Sequence, residues 1–355
     1  MDLDRLIRNP AFQLNLLLWM AKEQPGDCAR VFPLFAKLGF VLLNVESPFP
    51  LPEELARQVQ AIDLEISVQP EPELVLQRPG DRKALYFEAK RSSFGTESST
   101  SKQARGHLLA CGPAFAEVLA PLQESLLCYV LPEDQTERMA SCLAELRSQL
   151  ANAGLVPGTT SVHGFRVENG TRLLYVWDQP FADFVEHGNR TGSALLLEAA
   201  DSETDPCPLI LIHSDEDYPD PEAADRFRVA FLRRFQACLL CSLQRSRMLG
   251  KPMVVGLGEL LNETTDGTYE YLGPERQKSL RRLVNERVVR PIREYLAERG
   301  TDLLERKADQ VTFHFPAKEL REKFLDWLER TEFRGAFVPP PEDPLFDAMG
   351  IRHDE

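Results

Sequence analysis

Residues 73–77 read ELVLQ and residues 84–90 read ALYFEAK, with the turn RPGD between them. Two short apolar runs bounded by Pro and Gly predict a pair of strands joined tightly enough to lie side by side. Side chains at i and i+2 leave a strand on the same face, so Glu88 and Lys90 point together while Phe87 and Ala89 point the other way. A strand otherwise suited to a core thus ends in a carboxylate and an ammonium. Taken alone, E-x-K reads as the solvent face of an edge strand. What changes the reading is Glu73, which follows Pro72 at the start of the first run and is brought beside Glu88 by strands of these lengths.

Two neighbouring carboxylates repel unless a cation sits between them, and hard oxygen ligands select Mg²⁺ or Mn²⁺. A lysine on the same face adds a point charge for an attacking water or for charge developing on a phosphorus. Together these are the parts of metal-assisted phosphodiester hydrolysis.

Working outward, FVLLNV (40–45) and IDLEISV (62–68) also read as strands, and PLPEELARQVQ (50–60) as a helix with Pro and Glu in its first turn. After the polar loop SSFGTESST, SKQARGHLLACG reads as a helix capped by Ser101, and LLCYVL (126–131) as a buried strand. Residues 134–153 read as a helix, and SVHGFRVE with TRLLYVWD as a hairpin about Asn169-Gly170. The order helix (50–60), three strands, helix, strand over about residues 50–131 resembles the PD-(D/E)xK nuclease superfamily. That resemblance implies an α/β fold with a restriction-endonuclease-like mixed sheet flanked by helices. It further implies that Glu73, Glu88 and the Ala89 carbonyl hold Mg²⁺ or Mn²⁺, that Glu54 (or Glu53) on the preceding helix is a further metal ligand, and that Lys90 is catalytic. Gln103 matches the glutamine that some members carry on the following helix, whereas His107 stands where those members have a tyrosine. Glu at 73 replaces the commoner Asp.

The expected function is a metal-dependent endonuclease, with DNA ahead of RNA as substrate and a host-defence setting implied by the family. Because the superfamily contains inactivated members, the alternative is a catalytically inactive scaffold subunit that binds nucleic acid or partner proteins. A formal net charge of −14 opposes nucleic-acid binding unless the basic residues are segregated. They are: Arg226 to Lys251 contains seven basic residues and no acid, and Arg276 to Arg293 contains seven against one. Lys102, Arg233, Arg234, Arg281, Arg282 and Arg287 are accordingly the expected nucleic-acid contacts.

The chain is expected to divide into an N-terminal helical extension (1–49), a nuclease-like domain (50–200), a mainly helical basic domain (201–336) and an extended arm (337–355). In the third, helices followed by the ribbon DLLERKADQVTFHFP resemble a winged helix. The Pro-rich arm with Leu345, Phe346, Met349 and Ile351 suits docking on this protein or a partner, so a protein partner or a homo-oligomer is expected. No apolar run is long enough for a membrane span, and seven irregularly spaced cysteines argue for reduced thiols, which together predict a cytoplasmic protein without a membrane partner. Cys238-x-x-Cys241 reads as helix packing. His213-Ser214-Asp215 reads as part of an acidic loop, and no Walker loop, GxGxxG or HExxH is present.

Overall fold

A computed structural model describes residues 3–23, 31–113, 124–186, 192–198, 221–249, 251–300, 303–307 and 309–333, with side chains from 228 onward in the long helix that starts at 221. The arm 337–355 and His213-Ser214-Asp215 lie outside the described residues. The chain divides into two compact units, one of residues 1–231 with 264–279, the other of residues 232–263 with 280–355.

The first unit opens with α1 (Leu3–Leu6), α2 (Pro10–Met20) and α3 (Leu34–Lys37), followed by β1 (Val41–Val45) and α4 (Glu53–Gln60). Next come β2 (Leu74–Arg78), β3 (Lys83–Ala89), α5 (Ser99–Ala110), β4 (Glu124–Pro132) and α6 (Thr136–Asn152). The unit continues with β5 (Thr159–Glu168), β6 (Arg172–Trp177), α7 (Gln179–Val185) and β7 (Gly192–Glu198). The seven strands form one mixed sheet in sequential order. β1, β2 and β3 run antiparallel, β4 and β5 join in parallel, and β6 and β7 return antiparallel. Parallel pairs require crossovers, and α5 and α6 lie in the two that are needed.

The local chemistry explains the turns. Between β2 and β3, the Arg78 guanidinium bonds the Asp81 carboxylate at 2.9 Å through Nε, closing the Pro79-Gly80 turn. Between β5 and β6, Asn169 and Gly170 both take positive φ, 54° and 72°, in the three-residue connection closed by the Glu168–Arg172 pair. β3 and β4 are buried on both faces, which accounts for their nearly unbroken apolar sequence. One face packs Tyr86, Tyr129 and Leu127 against Leu55, Leu108, Met139 and Leu146 of α4, α5 and α6. On the other, Phe87, Phe35, Tyr175 and Phe181 form a ring cluster.

One expected strand is absent. Residues 62–68 form no strand, although Ile66 is buried. The chain there runs beside residues 49–51, with Leu51 N–H donating to Val68 O at 2.9 Å and Phe49 N–H to Pro70 O at 2.8 Å. The apolar alternation of IDLEISV is used for this clamp instead of a sheet position. The third antiparallel strand is β1, from the part of the chain expected to be a separate extension. α5 also starts earlier than expected, with Ser98 at its N-cap and the Ser101 hydroxyl turned back to the Ser98 carbonyl at 2.6 Å.

The second unit holds most of α8 (Pro221–Met248), then β8 (Met253–Gly256), most of α9 (Leu257–Thr264), the C-terminal part of α10 (Pro274–Val284) and α11 (Arg290–Ala297). It ends with β9 (Leu304–Lys307), β10 (Gln310–Phe313) and α12 (Lys318–Arg330). The expected ribbon forms as β9 and β10, and β8 pairs on the other side of β10, giving a three-stranded antiparallel sheet. Tyr295 stacks on Trp327 at 3.9 Å, and Phe324 meets both Phe313 and Trp327. One π turn, Asn285–Val289, separates α10 from α11. Among the described residues no helix is long and apolar enough to cross a membrane.

Candidate functional site

The antiparallel register of β2 and β3 pairs Leu74 with Phe87, which leaves Glu73 and Glu88 at the same end of the hairpin. The pairing continues one residue further, with Glu73 N–H donating to Phe87 O at 3.1 Å. Glu73 Oε2 then accepts the Ala89 N–H at 3.1 Å, so its side chain lies along the end of β3. Lys90 Nζ stands 2.7 Å from Glu88 Oε2 and 3.9 Å from Glu73 Oε1. The three residues singled out from sequence therefore meet, and the surface salt pair expected of a plain edge strand is excluded: Glu88 is 1 % exposed. Glu73 and Lys90 keep about a fifth of their side-chain surface, 22 % and 20 %, so the cluster opens to solvent on their side and is sealed behind Glu88.

α5 supplies the fourth side. His107 is buried and its Nε2 lies 3.3 Å from Glu88 Oε1. Gln103, one turn earlier, lines the same cleft as Glu73. Close packing of α5 depends on Gly106, where a Cβ would meet the Ser67 carbonyl oxygen at 2.5 Å. From the opposite face of the sheet comes Gln13 of α2, fully buried, donating to the Lys90 carbonyl at 3.2 Å and to the Ile7 carbonyl at 2.5 Å.

Burial and mutual charge displace the titrating groups of the site. Burial pushes the Glu73 carboxyl well above the ordinary carboxylate range; Lys90 pulls it back, while Glu88 and Glu46 push it further up. Burial works against the Lys90 ammonium, yet Glu88 and Glu73 outweigh it and hold Lys90 protonated beyond its usual range. Burial draws His107 below the ordinary histidine value against the pull of Glu88. Neither oxygen of Glu88 accepts a well-aligned hydrogen bond despite its burial. Lys90 at 2.7 Å and His107 at 3.3 Å are its charge and ring partners, and its remaining lone pairs are open to a ligand.

Two acids join from unexpected places. Glu71, in the first of the two Pro-Glu pairs of QPEPE, is shifted upward by burial and by Glu46. Glu46 follows β1 at φ 46° and donates its N–H to the Glu73 carbonyl at 3.1 Å. Glu54 does not join them. Leu55 and Val59 take the inward face of α4, which turns Glu53 and Glu54 to solvent, where Glu54 pairs with Arg57 at 3.0 Å. The sequence signal for the missed residues was weak: a second Pro-Glu two residues upstream for Glu71, and a buried amide inside the apolar run FQLNLLLW for Gln13.

The cleft beside Glu73 holds about 600 Å³. Glu46, Glu71, Glu73 and Gln103 line one part of it, and Gly273, Pro274, Arg276 and Ser279 another. Among the described residues no group of three His, Cys, Asp or Glu is arranged as a metal cage. The donors present still fit a hard divalent cation: two carboxylates one strand apart, the more buried of them with both oxygens lacking aligned donors.

The expected nucleic-acid contacts are dispersed. Lys102 is exposed on α5 in the first unit. In the second unit Arg233 pairs with Glu332 at 3.3 Å, Arg281 with Asp309 at 2.7 Å and Arg282 with Glu286 at 2.8 Å, while Arg234 and Arg287 are half-buried. Acids that are distant in sequence thus neutralise part of each basic run.

No protein-family model, curated protein or solved structure matches this chain.

Proposed function

We propose that the protein is a metal-dependent nuclease whose centre is Glu73, Glu88 and Lys90, acting on nucleic acid with DNA ahead of RNA. The observation that carries this reading is the placement of the Lys90 ammonium 2.7 Å from one buried carboxylate and 3.9 Å from a second at the open end of a hairpin. Glu73, Glu88 and the Ala89 carbonyl would hold Mg²⁺ or Mn²⁺. Bound there, the ion would supply activation of a water for attack and charge compensation at the phosphate.

The chain's own residues do the rest. Lys90, held protonated by the two acids, orients the attacking water and faces the negative charge that grows on the phosphoryl oxygens. Gln103 reaches the cleft as a neutral donor for a phosphate oxygen. Gln13 fixes the backbone of Lys90 from behind, so the ammonium swings from a held carbonyl. Support for an α/β restriction-endonuclease-like sheet comes from three antiparallel strands followed by a parallel β4, with α5 in the crossover. In the second unit the order helix, strand, helices, hairpin suits a winged helix that holds nucleic acid.

The test is cleavage of single- and double-stranded DNA and RNA in Mg²⁺ and in Mn²⁺, with wild type beside Lys90→Ala. Metal-dependent cutting that disappears in the variant is the expected result. Binding without cutting in any condition would replace this reading with the inactive scaffold subunit.

A further inference from the structure

One wall of the cleft comes from a stretch about two hundred residues beyond Glu73 in the chain, yet it belongs to the same compact unit. Three contacts seat it. Lys22 Nζ pairs with Asp266 at 3.3 Å. Gly273 donates its N–H to the Val45 carbonyl at 3.0 Å, and a Cβ there would lie 2.2 Å from the Glu46 carbonyl oxygen, so only glycine allows this approach. Arg276, in the first turn of α10, grips Glu46 through Nε at 2.6 Å and Nη2 at 2.8 Å.

The charge of this cleft poses a problem for any anionic ligand. Glu46, Glu71, Glu73 and Glu275 line it, and burial together with Glu46 already displaces Glu71 from its ordinary range. Arg276 is the cation among its described lining residues. A guanidinium has a planar fork of donors that fits a phosphate as well as a carboxylate. We infer that Arg276 is a substrate-binding residue that takes a phosphate of the nucleic acid, and that Glu46 is its internal competitor, holding the fork in place until substrate displaces it. The inference rests on the nuclease reading and adds to it a phosphate subsite on the wall opposite Glu73.

A structural ion pair and a binding arginine predict different outcomes. If the pair only fastens the wall, Arg276→Gln leaves binding per folded molecule unchanged, and any gain in Glu46→Gln comes from the lost negative charge alone. If Arg276 binds phosphate, the two substitutions act oppositely. The experiment measures anisotropy of fluorescein-labelled single- and double-stranded oligonucleotides with Ca²⁺ in place of Mg²⁺, beside thermal melts and a cleavage assay in Mg²⁺. The expected result is about tenfold weaker binding for Arg276→Gln, the loss of one charge-assisted contact, and tighter binding for Glu46→Gln, with lowered melting temperatures in both. Weaker or unchanged binding for Glu46→Gln would overturn the inference, and Arg276→Lys, which keeps the charge but loses the fork and should also bind more weakly, decides should Arg276→Gln fail to fold. Wild type that cuts, with both variants binding as it does, sinks the subsite and leaves the nuclease standing. Wild type that neither binds nor cuts sinks both.

Discussion

Two polar clusters are buried on opposite faces of the seven-stranded sheet, and they are built differently. On the face of Phe87, the Asp178 carboxylate accepts the Val162 N–H at 2.9 Å, the Phe181 N–H at 3.3 Å and the Ser161 hydroxyl. Ser161 Oγ lies 2.7 Å from His163 Nε2, and His163 Nδ1 bonds the Tyr175 hydroxyl. Every member has its partners, and the ring of His163 is packed by Phe87 and Phe181. On the face of Tyr86, Glu88 is as deeply buried but has no aligned donor at either oxygen, and its neighbours Glu73, Lys90 and His107 are all displaced from their ordinary pKa. A satisfied network stabilises a core, whereas one left short of partners keeps capacity for a ligand at the expense of stability. Ser161 and His163 lie side by side like parts of a hydrolase, yet their closure from solvent and complete pairing make them part of the scaffold.

The contrast is sharpest when one acid is removed from each cluster. Glu88→Gln is expected to reduce cleavage by about 10³ or more while the melting temperature changes little, because Glu73 remains as a carboxylate beside Lys90. Asp178→Ala is expected to lower stability by about 2–4 kcal/mol, through loss of a helix cap and two further acceptor contacts, with cleavage per folded molecule unchanged. Turnover normalised to folded fraction, measured beside denaturant melts, checks both. Loss of normalised activity in Asp178→Ala would erase the distinction.

Acid titration separates the clusters by sign. Burial holds His163 down to about 4, with Asp178 offsetting part of the effect. The unfolded chain therefore takes up the proton more readily, so the contribution of His163 is complete above the ordinary value of 6.5 and is lost as pH falls toward 4, about 3 kcal/mol in all. Glu73 runs the other way. Its folded pKa is raised, so its favourable contribution is present below 4.5 and is lost as pH rises through the folded value. Stability curves against pH should show the acid limb flattened in His163→Gln and the rise toward neutrality steepened in Glu73→Gln. An acid limb unchanged in His163→Gln would contradict the burial of that ring.

Gly106→Ala tests how the open cluster is assembled. A Cβ at 2.5 Å from Ser67 O forces α5 outward, for an expected loss of about 1–3 kcal/mol. Since α5 carries both Gln103 and His107, cleavage should fall by more than the folded fraction does; an equal fall would mean that α5 only packs. The smallest effect is expected in the second unit. Replacing Arg281 and Arg282 together with Ala should lower the salt slope of oligonucleotide binding by about 2 and leave metal-dependent chemistry intact. A slope equal to that of wild type would mean that the two arginines serve internal pairs, such as those with Asp309 and Glu286, and not nucleic acid.

Much of the open cluster was legible in the sequence because its residues are close together in it. A period of two puts Glu88 and Lys90 on one face, a Pro-Gly turn sets the register of Glu73, and one helical turn separates Gln103 from His107. The same locality made the hairpin at Asn169-Gly170 and the ribbon of β9 and β10 readable. Where pattern and tertiary structure competed, pattern lost. IDLEISV alternates like a strand but is held as a clamped loop, and Glu54 sits on the expected helix but on its solvent face.

The sequence alone therefore determined which side chains share a face and where the tight turns fall, since those follow from backbone periodicity within a few residues. Only the tertiary structure decided how long-range pairs close. It brought Glu46 to Arg276 across 230 positions, Gln13 to Lys90 across 77, and Asp309 to Arg281. Such contacts depend on chain crossings that no local pattern encodes, and burial sets the charge state of what they enclose.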